Sequence, residues 1–207
     1  MVDMTSIGIP EAFQEVPRKK AKFSFDSSTN AKQCENIMNW LRSGCGNAVF
    51  HGKPGRSKSY NAVTCMMYFN EKHKIPWHEM RFINVPDLFQ DWLSNMENYS
   101  MNAYKLGILK EIKVLVLDDL GVRKPSEGFL DYLHCLIDSR YNKKDLITIF
   151  TTNLTGSEFN HMLGPRMISR ISSGVNIHFD GEDYRMSKNQ LEGQERNKIE
   201  KLNVSMS

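Results

Sequence analysis

Hydrophobic positions along the chain change period several times, and each change marks an element. Cys34, Ile37, Met38 and Leu41 recur at helical spacing, which predicts an amphipathic helix over residues 30–43. Gly44 and Gly46 end it. Residues 47–51 read as a short buried strand that runs straight into Gly52-Lys53-Pro54-Gly55-Arg56-Ser57-Lys58-Ser59, with a helix following through Lys72. Residues 80–84 are a second strand candidate. Pro86 suits the first turn of a helix carrying Leu88, Phe89, Trp92 and Leu93. A polar stretch rich in Asn and Met leads to another helical segment near 102–111. Four consecutive apolar residues at 114–117 suit a central strand of a parallel sheet, buried on both faces. Ser126 can cap a helix whose apolar face is Phe129, Leu130, Leu133, Leu136 and Ile137. Residues 146–150 form another buried strand, and Thr155 with Glu158 makes a capping box for the next helix. Val175, Ile177 and Phe179 alternate with Asn176 and His178, as in a half-exposed final strand.

Strands alternating with helices predict an α/β layer fold with a mainly parallel sheet. Residues 1–29 lack a sustained period and are expected to be an N-terminal arm, partly disordered, whose run Arg18-Lys19-Lys20 is a solvated patch. Residues 30–186 are expected to form the one domain and residues 187–207 a polar tail. Composition adds mainly exclusions. Of 207 residues, 40% are apolar and 25% charged, which fits neither a disordered chain nor a fibre. No apolar run approaches the roughly 20 residues of a membrane span, and the N-terminus lacks the form of a signal peptide. A cytoplasmic location without membrane contact is therefore expected. The balance of 27 basic against 24 acidic residues gives +3, which by itself does not argue for nucleic acid. Cys34, Cys45, Cys65 and Cys135 contain no CxxC pair and suggest neither a zinc site nor a disulfide framework.

Four groups of residues carry chemistry. The stretch from Gly52 to Ser59 follows a strand and precedes a helix, as a phosphate-binding loop requires. Its glycines let backbone N–H groups point at phosphate oxygens, and the helix adds its positive N-terminal end. Lys58 would reach the β- and γ-phosphates of ATP, and the Ser59 hydroxyl would ligate Mg2+. Ser57 stands where such loops usually have Gly. That position commonly needs φ > 0, at a cost of about 1–2 kcal/mol for a non-glycine residue. Asp118 and Asp119 end the 114–117 run, where ligands bind in parallel sheets. There Asp118 would hold Mg2+ and Asp119 would polarise the attacking water. Thr151-Thr152-Asn153 closes the 146–150 strand and could hold that water or the γ-phosphate from the opposite side. Arg166 and Arg170 lie four apart, on one helix face, and can together meet a phosphate on a neighbouring subunit.

Taken in order, Gly52-Lys53-Pro54-Gly55…Lys58-Ser59, Asp118-Asp119-Leu120-Gly121, Thr151-Thr152-Asn153, Gly164-Pro165-Arg166…Ser169-Arg170 and Asp183-Tyr184-Arg185 resemble the AAA+ ATPase module. The resemblance covers about residues 30–188. It is closest to the bacterial and phage replicative-helicase loaders of the DnaC/DnaI type, with the IstB transposition helpers as near relatives. It implies a three-layer P-loop NTPase fold. It places Gly52, Pro54, Gly55, Arg56, Ser57, Lys58, Ser59 and Tyr60 around ATP, with Ser59 and Asp118 on Mg2+. It makes Asp119 and Asn153 catalytic, Asn153 at the sensor-1 position. Arg170 becomes the arginine finger with Arg166 beside it, and Arg185 a sensor-2 arginine. The helices within 86–111 sit where these loaders carry an extra helix facing single-stranded DNA, with Phe89, Trp92, Tyr99 and Lys105 as candidate contacts. Head-to-tail self-association and a replicative ring helicase are the implied partners. The loaders usually grip the helicase through a separate N-terminal domain, for which the residues before position 30 are too few. Two other functions compete with loading: an IstB-like transposition helper acting on duplex DNA, and a low-turnover nucleotide-dependent binding module, which Ser57 favours.

Overall fold

The computed structural model describes residues 4–15, 31–122 and 124–180. Five strands, β1 (Gly46–His51), β2 (Met80–Asn84), β3 (Val114–Asp118), β4 (Ile147–Thr152) and β5 (Val175–His178), form one sheet in the order β2-β3-β4-β1-β5. Every neighbouring pair is parallel. Parallel strands need crossover connections, and five helices supply them: α2 (Lys58–His73), α3 (Val85–Ser94), α4 (Tyr99–Glu111), α5 (Glu127–Tyr141) and α6 (Gly156–Ile171), while α1 (Ala31–Ser43) precedes β1.

Alternation within the strands builds two cores, one on each sheet face. Val114 and Val116 of β3 join Ala48, Phe50, Ile147 and Ile149 beneath α1 and α2. Leu115 and Leu117 point the other way and join Val49, Phe150 and the apolar faces of α3 to α6. The central strand β3 is buried throughout, as a run of four apolar residues requires. The result is a three-layer α/β fold.

The elements differ from their sequence-based bounds in ways that matter for the site. β3 includes Asp118, and β4 begins at Ile147 and extends through Thr152, so Asp118, Thr151 and Thr152 are all held by sheet. α4 starts at Tyr99, because the Asn98 side chain accepts a hydrogen bond from Met101 N and caps it early. β5 stops at His178, before Phe179. The caps expected at Ser126 and at Thr155 with Glu158 are both formed.

Part of the expected N-terminal arm is described. Over residues 4–15 it packs on the module, with Ile7 and Ile9 buried in the first core. Ile7 O accepts a hydrogen bond from Phe82 N at 2.8 Å, so the segment lies along the edge strand β2 and occupies an otherwise open edge. The basic run at 18–20 lies outside the described residues, as does the tail from 187.

One buried residue that the sequence reading passed over ties elements together. Arg140 of α5 donates through Nε to Thr148 Oγ1 at 2.9 Å and through Nη2 to Ile147 O at 2.7 Å. Its Nη1 donates to Leu109 O at 2.8 Å and Ile112 O at 2.7 Å. One guanidinium thus satisfies carbonyls at the end of α4 and the start of β4.

Candidate functional site

The loop after β1 is shaped by three left-handed or glycine-only positions. Gly52 has φ 134° and lies against β5; a Cβ there would sit 2.2 Å from Phe179 O, so no larger residue fits. Gly55 has φ 78°. Ser57, the last residue before α2, has φ 59° and ψ 22°. The position where a glycine is usual is therefore left-handed here, although it carries a side chain. Ser57 O accepts hydrogen bonds from Asn61 N at 2.9 Å and from Asn61 Nδ2 at 2.8 Å. Asn61 is fully buried, and this double contact holds the strained turn in place.

Lys58 is buried and curls back into the loop, its Nζ donating to Gly52 O and Lys53 O at 2.8 Å each. Arg56 Nε and Nη1 are withdrawn from solvent and hydrogen-bond to nothing among the described residues. A looped backbone, an ammonium at its centre and orphaned guanidinium donors at its side make an anion cradle. Tyr60 is partly buried against the first core, and Pro54 is exposed.

The acidic half of the site comes from β3. Asp118 is buried, and its carboxylate accepts from Ser59 Oγ at 2.8 and 3.0 Å and from Thr151 Oγ1 at 2.6 Å. Burial pushes the carboxyl above its ordinary range; the Thr151 and Ser59 hydrogen bonds and the charge of Lys58 oppose that, while Asp119 adds to it. A hydroxyl and a carboxylate one hydrogen bond apart are a donor set suited to one hard cation, so Ser59 and Asp118 fit Mg2+.

Asp119 also has φ 58°. Its N donates to Thr151 Oγ1 at 2.9 Å, and its Oδ2 accepts from Asn84 Nδ2 at 3.4 Å. It lines a cleft with Val85, Phe89, Leu120 and Phe129. Thr151 thus fixes both acids at once, a role the sequence reading had not given it; the signal was a hydroxyl at the end of the strand beside them. Thr152 Oγ1 donates to Leu120 O at 2.7 Å and accepts from Leu154 N, shaping the turn that carries the half-buried Asn153.

The arginine pair lies on a different face. α6 is interrupted at Gly164, with φ 78° and ψ 158°, and Pro165 opens its second part, as proline can at a first helical position. Arg166 and Arg170 both pair with Asp138 of α5, through Nη2 at 3.1 Å and Nε at 2.8 Å respectively. Among the described residues neither hydrogen-bonds to the phosphate loop or to Asp118 or Asp119; their partners are Asp138 and, for Arg170, the Arg166 carbonyl. Arg185 lies outside the described residues.

The expected DNA-facing residues divide. Phe89 and Trp92 pack on Phe129, with ring centroids 5.0 and 5.6 Å away, and belong to the second core. Lys105 is paired with Asp91 at 2.6 Å. Tyr99 is 83% exposed and Tyr104 67%.

A parallel sheet of this strand order, with a glycine-containing loop leaving β1 and acids ending β3, has the fold of the AAA+ P-loop NTPases. More narrowly, the chain belongs to the family described as IstB-like ATP binding protein, whose profile residues 14–190 match. It is 24% identical over 155 residues to the uncharacterized protein YdaV of Escherichia coli (strain K12), a match covering 74% of this chain and 60% of that one. The chain thus spans about 60% of the length of this curated relative. Among solved structures, the DnaC helicase loader superposes with a TM-score of 0.67 at 20% identity, over 83% of this chain and 100% of that one. DnaI superposes with 0.62 at 20% identity, over 78% and 88%. These likenesses concern the fold. Among the described residues no helix is long and apolar enough to cross a membrane.

Proposed function

We propose that the protein is a helicase-loader-like ATPase that binds ATP and Mg2+, contacts single-stranded DNA, assembles head to tail and helps place a replicative ring helicase on DNA. The observation that carries the ATPase part is the Ser59–Asp118 contact at 2.8 Å, which joins the phosphate loop to the acidic end of β3. When bound, Mg2+ would neutralise phosphate charge as it develops. Loop backbone and Lys58 bind and orient the triphosphate, Lys58 leaving the carbonyls of Gly52 and Lys53. Asp119, held by Thr151 and Asn84, accepts a proton from the attacking water, and Asn153 orients that water from the β4 side. Arg170, with Arg166, completes the site of a neighbouring copy.

The loader reading draws support from the folds of the DnaC and DnaI structures and from the exposed tyrosines of α4. A transposition-helper ATPase acting on duplex DNA is the second reading, and the family description favours it. A titration with a fluorescent ATP analogue tests the common part. Lys58→Ala should abolish binding, whereas Asp119→Asn should bind normally and turn over slowly. Equal affinity in the wild type and Lys58→Ala would sink the phosphate-loop assignment. Reconstitution with a purified replicative helicase, against a purified transposase, separates the two readings.

A further inference from the structure

The pairing of both arginines with one carboxylate carries a further inference. Arg166 and Arg170 project from the same face of the second part of α6, where two neighbouring cations repel. Asp138, one helix away on α5, stands between them: Oδ2 accepts from Arg166 Nη2 at 3.1 Å, and Oδ1 lies 2.8 Å from Arg170 Nε. Arg170 is further confined by Arg166 O, 3.5 Å from its Nη1, and lies over the Tyr141 ring at 5.8 Å. Their exposures differ accordingly, with 71% of the Arg166 side chain accessible and 21% of Arg170.

We propose that Asp138 is a positioning residue, holding Arg166 and Arg170 as one aligned pair for the bound triphosphate of a second copy of this chain. The proposal rests on the ATPase reading given above. The carboxylate cancels one of two positive charges, so the pair stays together and the face still carries a net positive charge. Asp138 Oδ1 is buried yet accepts no aligned hydrogen bond, so its hold on Arg170 is one of charge rather than a directional lock. Ion pairs such as Arg166–Asp138, with the arginine side chain 71% exposed, contribute little to stability. They set where a guanidinium points before docking, and misplacement of a reacting group is felt steeply in rate. The occupant is chosen by charge. The face offers paired guanidinium forks, which match phosphate oxygens. This chain's own cradle lies elsewhere, and its acids Asp118 and Asp119 would lie beside that phosphate on the docking copy.

The test is directional. A Lys58→Ala subunit cannot bind ATP but can donate its arginines, and an Arg170→Ala subunit can bind ATP but cannot donate. Mixing the two should restore turnover. Adding Asp138→Asn to the Lys58→Ala donor should cut the recovered rate about tenfold or more. Adding it to the Arg170→Ala recipient should leave the recovered rate as it was. Full recovery with the altered donor overturns the proposal. So does an equal loss from both sides, which is what a folding defect would produce. A wild-type chain with no ATP turnover would instead remove the ATPase reading, and this inference with it.

Discussion

Ser57 sits at φ 59° with a side chain that L-residues carry poorly in that region, and Asn61 grips its carbonyl from both backbone and side chain. Replacing it with glycine relieves the strain directly. Relief of about 1 kcal/mol corresponds to about fivefold tighter ATP·Mg2+ binding, provided the strain is greater in the bound loop. Glycine also loosens the unfolded chain, which offsets much of the strain relief, so the melting temperature of Ser57→Gly without ligand should change little. Isothermal titration of both proteins reads the first effect, and unchanged or weaker binding would mean that Ser57 sits at ease. A second residue-level effect concerns His51, whose ring lies 5.0 Å from that of His178 at the ends of β1 and β5. Burial, then His178 and then Lys58 hold its pKa below the ordinary histidine value of 6.5. The unfolded chain therefore takes up this proton first as pH falls. The stability linked to His51 is complete above about pH 6.5 and declines below it, toward the lower folded value. His51→Gln should flatten that decline in urea midpoints measured between pH 7.5 and 5.5. An unchanged slope would assign the acid sensitivity to other groups.

At the scale of elements, what could be read from sequence was what local pattern encodes. The strand–loop–helix around Gly52 to Ser59, the buried run ending in Asp118 and the caps at Ser126 and Thr155 depend on neighbours in sequence, and all are found. Ser57 could even be placed at φ > 0 from its position in the loop. The contacts of Thr151, Arg140 and Asp138 could not be read, because each acts on an element distant in sequence. Thr151 reaches Asp118 across a strand pair, Arg140 spans from α5 to α4 and β4, and Asp138 spans from α5 to α6. Residues 4–15 escaped for the same reason: their partner is an edge strand far along the chain. Arg140 shows the energetic weight of such contacts. Burial lowers its pKa to about 10, leaving it charged at neutral pH. An ammonium cannot reproduce the fork that serves four acceptors, so Arg140→Lys leaves buried carbonyls unsatisfied. A loss of about 2–4 kcal/mol follows, or roughly 5–15 °C in melting temperature for a domain of this size. A shift under about 2 °C by calorimetry would show that water replaces those bonds freely.

Over the whole molecule, the phosphate cradle, the arginine face and the α3–α4 surface are separate regions of one module, and the last bears on which nucleic acid the proposed function would engage. Phe89 and Trp92 are partly buried against Phe129, and Lys105 is paired with Asp91. Tyr99 and Tyr104 remain, with Met101 and Ile108 beside them on α4 and all four open to solvent. Exposed rings bind unpaired bases by stacking, worth about 1–3 kcal/mol per base, and cannot reach bases stacked inside a duplex. The double variant Tyr99→Ala, Tyr104→Ala should therefore bind a labelled thymidine oligonucleotide about tenfold or more weakly, with ATP affinity unchanged, as measured by anisotropy at fixed salt. The wild type should prefer that oligonucleotide to a duplex of equal length. Unchanged single-strand affinity in the variant would take this surface out of the loader reading. A wild-type preference for duplex would move the balance to the transposition-helper ATPase, because stacking on α4 would then have no unpaired base to act on.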